Sequence, residues 1–379
     1  MRALYLGIDV GTTWCKAALV DADGRELPAA RRRTPWRPVA TGAEADPVEV
    51  CDTAIAVAAE AISVGPSGRV AGVGVTSMAE AGVLLDRHAE PVLPVVAWHD
   101  TRGRDSAARL AAELPEFSRR TGLAPTPVLT IAKHASLRPR GGVRWLNVAE
   151  WVVRRLGGEE RAELSLASRT GYFDLLAGRP WPDALEWAGM APGLLPEPAV
   201  AGTWMGRTRA LGGSARDAAL TVAGHDHLAA AFGAGAIGLG DLLDSCGTAE
   251  ALVRTVPPGL SPHAIESAVA SGVSVAWHVV EGRWALVGGF LSGKLLAEPG
   301  GAARIPELAA RARDFRLAIE AVAGPSDRLV VTGGWARDPD VARVKGQVLG
   351  EFESAPVIEA GCVGAALLAK AAAESMATA

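Results

Sequence analysis

Two short runs, one near the start and one past the middle of the chain, hold residue types suited to gripping a phosphate chain: Asp9-Val10-Gly11-Thr12-Thr13 and Asp244-Ser245-Cys246-Gly247-Thr248. Each joins a carboxylate, a glycine that lets backbone approach a ligand, and hydroxyls beside exposed N–H groups. Facing each other, the two turns would clamp a nucleotide. Between them, Gly224-His225-Asp226-His227 leads into the Ala-rich run Leu228 to Ala231. Asp226 there has two readings: a cap for the helix that follows, or a general base that takes a proton from a hydroxyl attacking a γ-phosphate.

These residues need strands and helix ends to aim them. Apolar residues over 4–10 and 15–20 flank the Gly11-Thr12-Thr13 turn and predict a hairpin. Asp46-Pro47 reads as the start of a helix running to about Ser63, since Pro suits the first helical position after an Asp cap. Val70 to Thr76 and Gly82 to Asp86 read as strands. Residues 103–220 mix short helices with Pro/Gly-rich connectors around Trp145, Trp151, Trp181 and Trp187. Strand–turn–helix order restarts at Leu220, which predicts two domains, 1–220 and 221–379. In the second, strands are expected at 250–255, 268–278, 283–288 and 328–332, with helices at 303–323, 339–349 and 359–375.

At 379 residues the chain suits two domains. A hydrophobic fraction of 49% with 21% charged residues is globular composition. The net charge of −4, with both signs spread along the chain, supplies no basic stripe for nucleic acid or an anionic membrane. The opening segment meets Asp9 before any leader-like apolar run develops, and no later stretch offers ~18 uninterrupted apolar residues. A cytoplasmic protein is therefore expected. Cys15, Cys51, Cys246 and Cys362 lie far apart without a C-x-x-C pair, so they read as buried small residues.

Two further runs imitate nucleotide motifs. Gly288 to Lys294 has most of the Walker A spacing, but Leu295 stands where a magnesium-binding Ser or Thr is required. Gly233-Ala234-Gly235-Ala236-Ile237-Gly238 matches G-x-G-x-x-G yet follows a helical stretch instead of a strand.

In their order along the chain, five blocks between residues 4 and 372 resemble the FGGY family of carbohydrate kinases. They are Gly7 to Ala17; Val75 to Asp86 with Ala97-Trp98-His99-Asp100-Thr101-Arg102; Ser165 to Gly171; Gly224 to His227 with Asp244 to Glu250; and Val330 to Arg337. The resemblance implies an α/β, actin-like and ribonuclease H-like duplicated fold, with ATP and sugar in the cleft between two domains and a shortened second domain. It implies that Asp9 holds Mg²⁺, that Gly11, Thr12, Thr13, Lys16, Gly247, Thr248 and Gly293 serve the phosphates, and that Gly333, Gly334 and Trp335 serve the adenosine. Glu80, Trp98, Asp100, Arg102 and His227 would line the sugar site, with Asp226 as base. Asp100 and Arg102 read equally well as a surface ion pair. The implied activity is ATP-dependent phosphorylation of a small sugar, polyol or sugar acid by a monomer or homodimer, without nucleic-acid or membrane partners. Two other readings share the clamp turns: an actin- or heat-shock-like ATPase that drives partner binding, and a degenerate kinase that senses sugar.

Overall fold

In the computed structural model, which describes residues 3–378, the opening hairpin forms as expected. Strand Ala3–Val10 pairs antiparallel with Trp14–Asp21, and this pairs with Glu26–Arg33. Arg69–Ser77 adds in parallel on the other side of Ala3–Val10, and Ala219–His225 adds in parallel to that. The second sheet repeats the plan. Asp241–Cys246 pairs antiparallel with Glu250–Val256 and in parallel with Arg328–Thr332; Trp284–Phe290, Ser274–Trp277 and Glu353–Ser354 complete six strands. Two copies of one strand order, each with its turn at the carboxyl end of the central strand, constitute the duplicated fold.

The expected division at residue 220 falls inside the first sheet. Ala219–His225 is the fifth strand of the first sheet, and the helix Asp226–Gly233 that it leads into packs against the last helix, Ala360–Thr378. That last helix returns to the first sheet, lying across Ala3–Val10, Arg69–Ser77 and Ala219–His225. Close approach makes this possible: a Cβ on Gly7 would sit 1.8 Å from the Cys362 carbonyl oxygen, and one on Gly74 2.0 Å from that of Ala365. Ala360–Thr378 is also the one described helix long and apolar enough to cross a bilayer, although Lys370 and Glu374 interrupt it. Its buried face packs against the sheet and the helix Asp226–Gly233. Met1 and Arg2, which open the segment read for a leader, lie outside the described residues.

The helix after Asp46 runs over Pro47–Val64, with the Asp46 carboxylate accepting from the backbone of Val48 and Glu49. The strand expected at 268–278 shortens to Ser274–Trp277. Ser261 caps a helix over Pro262–Ala270, and Gly272 turns the chain at φ +81°. Apolar Ile265, Ala268 and Val269 thus fill a helix face instead of a strand. Of the four tryptophans, Trp145 and Trp181 lie in the core of the segment after residue 103, joined by Phe117, Tyr172 and Phe173. Trp151 enters the first sheet's core, while Trp187 lies half-buried, its indole N–H donating to Glu113 at 2.8 Å.

Candidate active site

The two Asp/Gly/Thr turns meet. The Thr13 and Thr248 hydroxyls are 2.9 Å apart across a cleft of about 1110 Å³ between the sheets. The first turn is braced from behind: Gly11 N–H donates to the Trp14 carbonyl, Thr34 Oγ1 to the Gly11 carbonyl, and the Trp36 indole to the Thr12 carbonyl at 2.7 Å. Trp98 reaches the same turn from the side, its Nε1 donating to Thr12 Oγ1 at 2.8 Å.

Asp9, Gly11, Thr12, Thr13, Lys16, Glu80, Trp98, Asp226, His227, Gly247, Thr248, Gly333, Gly334 and Trp335 all line this one cleft. Asp9 sits among other carboxylates. Burial, then the neighbouring Asp226 and Glu359 carboxylates, push its pKa up to about 7, while Lys16 opposes them. Its Oδ1 is buried without a hydrogen-bond partner. An orphaned carboxylate oxygen beside further carboxylates is chemistry suited to a hard cation. The fit to Mg²⁺ is therefore good.

Asp226 stands in the first turn of the helix Asp226–Gly233, and its Oδ1 accepts from the His227 backbone N–H at 2.8 Å. The His225 Nε2 lies 3.3 Å from the same oxygen. Burial drives the His225 imidazole down to about 3, so it faces Asp226 uncharged. The loop that carries Asp226 is pinned on both sides: Thr76 Oγ1 donates to the Gly224 carbonyl at 2.6 Å, and His225 N–H donates to Ser165 Oγ, which donates in turn to Glu163. The His227 ring lies 3.1 Å from the Ser245 hydroxyl at the second turn.

Three expected residues are placed elsewhere. Asp100 is fully buried behind the cleft wall, where it accepts from the backbone, Nε and Nη2 of Arg102 and from Thr41 Oγ1. Against the upward push of burial, these donors hold its pKa at about 2. Arg102 also pairs with Glu44 at 2.7 Å. The pair is ionic but buried behind the wall, not at the surface. Gly293 is packed under the second turn, where a Cβ would sit 1.9 Å from the Gly247 carbonyl oxygen and 2.8 Å from the Trp335 ring. It lets the turn and Trp335 come together without lining the cleft.

The two turns are not equivalent. Asp9 precedes its glycine by two positions and Asp244 by three, and strand side chains alternate faces. Ser245, not Asp244, therefore occupies the cleft face in the second copy. Asp244 points away into a buried cluster, where Lys345 donates to its carboxylate, to Glu250 at 2.7 Å and to Cys246 Sγ at 3.1 Å. Asp244, Cys246 and Glu250 have the proximity of a metal site, but the Lys345 ammonium already supplies the cation. Burial alone would lower the Lys345 pKa; Asp244, Cys246 and Glu250 instead raise it well above the usual lysine range.

Arg169 and Glu359 were not singled out from the sequence. Arg169 lines the cleft and pairs with Glu80 at 2.6 Å, while its Nη1 donates to Ser274 Oγ at 2.6 Å. It lies in the block Ser165 to Gly171, to which the resemblance assigns no site residue. Glu359 pairs with Lys16 at 2.6 Å from the far end of the chain, and no local pattern marks such a partner.

Residues 4–233 match the FGGY family of carbohydrate kinases, N-terminal domain. The chain belongs to that family. It is 28% identical over 202 residues to a gluconokinase from Bacillus subtilis, a match covering 51% of this chain and 39% of that protein. It is 29% identical over 304 residues to an apulose kinase from Pectobacterium atrosepticum, covering 75% and 60%. The chain thus spans about half the length of these curated relatives. A gluconate kinase structure from Lactobacillus acidophilus superposes with a TM-score of 0.86 at 16% identity, covering 99% of this chain and 90% of that one, a likeness of fold.

Proposed function

We propose that the protein transfers the γ-phosphoryl group of ATP to a hydroxyl of a small sugar, polyol or sugar acid, with Asp226 as general base. The observation that carries this reading is the convergence of Asp9, Asp226 and the touching Thr13 and Thr248 turns on one cleft. Phosphoryl transfer requires little covalent chemistry from protein. It needs an aligned hydroxyl, dispersed phosphate charge and exclusion of water.

In this reading ATP lies with its phosphates between the two turns and its adenosine toward Gly333, Gly334 and Trp335. Gly333 has φ +99°, and a Cβ there would sit 2.4 Å from the Cys246 carbonyl oxygen, so only glycine allows the adenosine strand to end against the second turn. The Thr12, Thr13 and Thr248 hydroxyls and nearby N–H groups donate to the phosphate oxygens, where charge grows in the transition state. Asp9 would hold Mg²⁺, which supplies charge neutralisation on the transferring group. The acceptor lies beside Glu80, Trp98 and Arg169, and Asp226 orients its hydroxyl and removes the proton. Neutral His225 leaves Asp226 without an ion-pair partner at that position. The Thr13–Thr248 contact ties the two turns together across the cleft. Four free, buried cysteines among the described residues suit a reducing cytoplasm.

The test is ADP release by the full chain with ATP and Mg²⁺ across D-gluconate, D-xylulose, glycerol and other polyols. Acceptor-dependent turnover is expected. Turnover equal with and without any acceptor selects a partner-driven ATPase and refutes the kinase reading, and acceptor binding without turnover selects a sensor.

A further inference from the structure

Lys133 lies on the helix Thr130–Leu137, outside every motif discussed so far, and is 3% exposed. Its Nζ donates to three backbone carbonyls: Glu80 at 2.9 Å, Ala97 at 3.0 Å and Trp98 at 3.0 Å. No carboxylate lies within ion-pairing range of it among the described residues. An ammonium has three N–H donors, and all three are spent on these carbonyls. Burying a cation without a counter-ion is costly, and packing alone would be served by an apolar residue of similar volume. The arrangement makes sense where the direction of those carbonyls matters.

It matters at two places. Glu80 has φ +55°, a left-handed conformation that a non-glycine residue holds only under external constraint. The constraint comes from both ends of the residue, with Lys133 on its carbonyl and Arg169 on its carboxylate. Trp98 is likewise held at two points: its carbonyl by Lys133, its indole N–H by the hydroxyl of Thr12 in the first phosphate turn. One buried side chain thus ties the segments bearing two cleft-lining residues to each other, and through Trp98 to the phosphate turn.

We propose that Lys133 is a positioning residue for the acceptor: it fixes the backbone of the Glu80 and Trp98 segments so that their side chains form the acceptor half of the cleft. The inference rests on the kinase reading above. Lys133 touches neither substrate, so its effect is selective. The acceptor half loses definition when it is removed, while the second phosphate turn and the adenosine motif, held by other contacts, are unaffected. Burial, only partly offset by the Glu80 and Asp100 carboxylates, lowers the Lys133 pKa to about 7.

The test is Lys133→Met in the full chain, which preserves the length of the stem and removes the donors. Initial rates are measured with whichever of D-gluconate, D-xylulose or glycerol the wild type turns over, varying acceptor and ATP separately. The expected result is an acceptor KM raised by about tenfold or more, with the ATP KM within about twofold of wild type. If Lys133→Met does not fold, Lys133→Gln, which keeps two donors, reads the same split. Lys133→Arg, which keeps donors on a bulkier head group, is expected to recover part of the acceptor KM. An active wild type whose Met and Gln variants change both KM values together, or neither, overturns the positioning role and leaves the kinase reading intact. A wild type with no acceptor-dependent ADP release overturns the kinase reading and this role with it.

Discussion

Replacing Asp226 by Asn separates proton removal from everything else the residue does. The amide oxygen can still accept from the His227 N–H, now 2.8 Å from Oδ1, so the first turn of the helix keeps its bond. Loss of a negative charge near a helix N-terminus costs about 0.3–1 kcal/mol of stability. Asp226 also raises the Asp9 pKa, so its neutralisation leaves Asp9 more readily ionised and nucleotide binding undiminished. What disappears is the base. General-base catalysis contributes about 10²–10⁴-fold, which is about 3–5 kcal/mol of barrier. Asp226→Asn should therefore lower kcat by that factor, with the ATP KM within about threefold of wild type. Initial-rate ADP release with both substrates varied gives kcat, and calorimetric titration with a non-hydrolysable ATP analogue gives nucleotide affinity. A kcat within about threefold of wild type would refute Asp226 as base. Parallel loss of nucleotide affinity would refute the separation of roles.

The buried clusters predict two further results. Lys345→Met leaves Asp244 and Glu250 facing each other unpaired, so denaturant unfolding should show a loss of about 3–5 kcal/mol; a loss under about 1 kcal/mol would mean that the cluster relaxes or protonates at little cost. Glu150, on the helix Val148–Leu156, accepts from the Glu163 backbone N–H; burial raises Glu150 to about 8 and Glu163 to about 7, so in the folded protein both keep protons that the unfolded chain releases near pH 4.5. Their contribution is complete below the unfolded pKa and is lost as pH rises through the folded values. The unfolding free energy should then decline between about pH 5 and 8, and Glu150→Gln should flatten that decline; an unchanged slope in the variant would show that Glu150 is ionised in the fold.

Much of the local structure was legible in the sequence because its causes are local. The Asp46-Pro47 start, the hairpin around Gly11-Thr12-Thr13 and the strand before Gly333 depend on caps, turn residues and apolar runs within a few positions. Asp9 and Asp226 stood out for the same reason, each a carboxylate at the end of an apolar run. The misplaced 268–278 strand shows the limit, since three apolar residues suit a helix face as well as a strand.

Tertiary structure alone decided which carboxylates face the cleft and what supports them. A single extra residue between Asp244 and Gly247 turns that side chain into the core, where it finds Lys345 from a distant helix. Asp100 and Arg102, adjacent to Trp98 in sequence, are drawn behind the wall by Thr41 and Glu44. The Thr13–Thr248 contact, the Glu80–Arg169 pair and the three carbonyls on Lys133 join residues far apart along the chain. The reason is physical: the sequence carries local propensities and the alternation of faces, while contacts between remote segments exist only once sheet register and helix packing have set the distances between them.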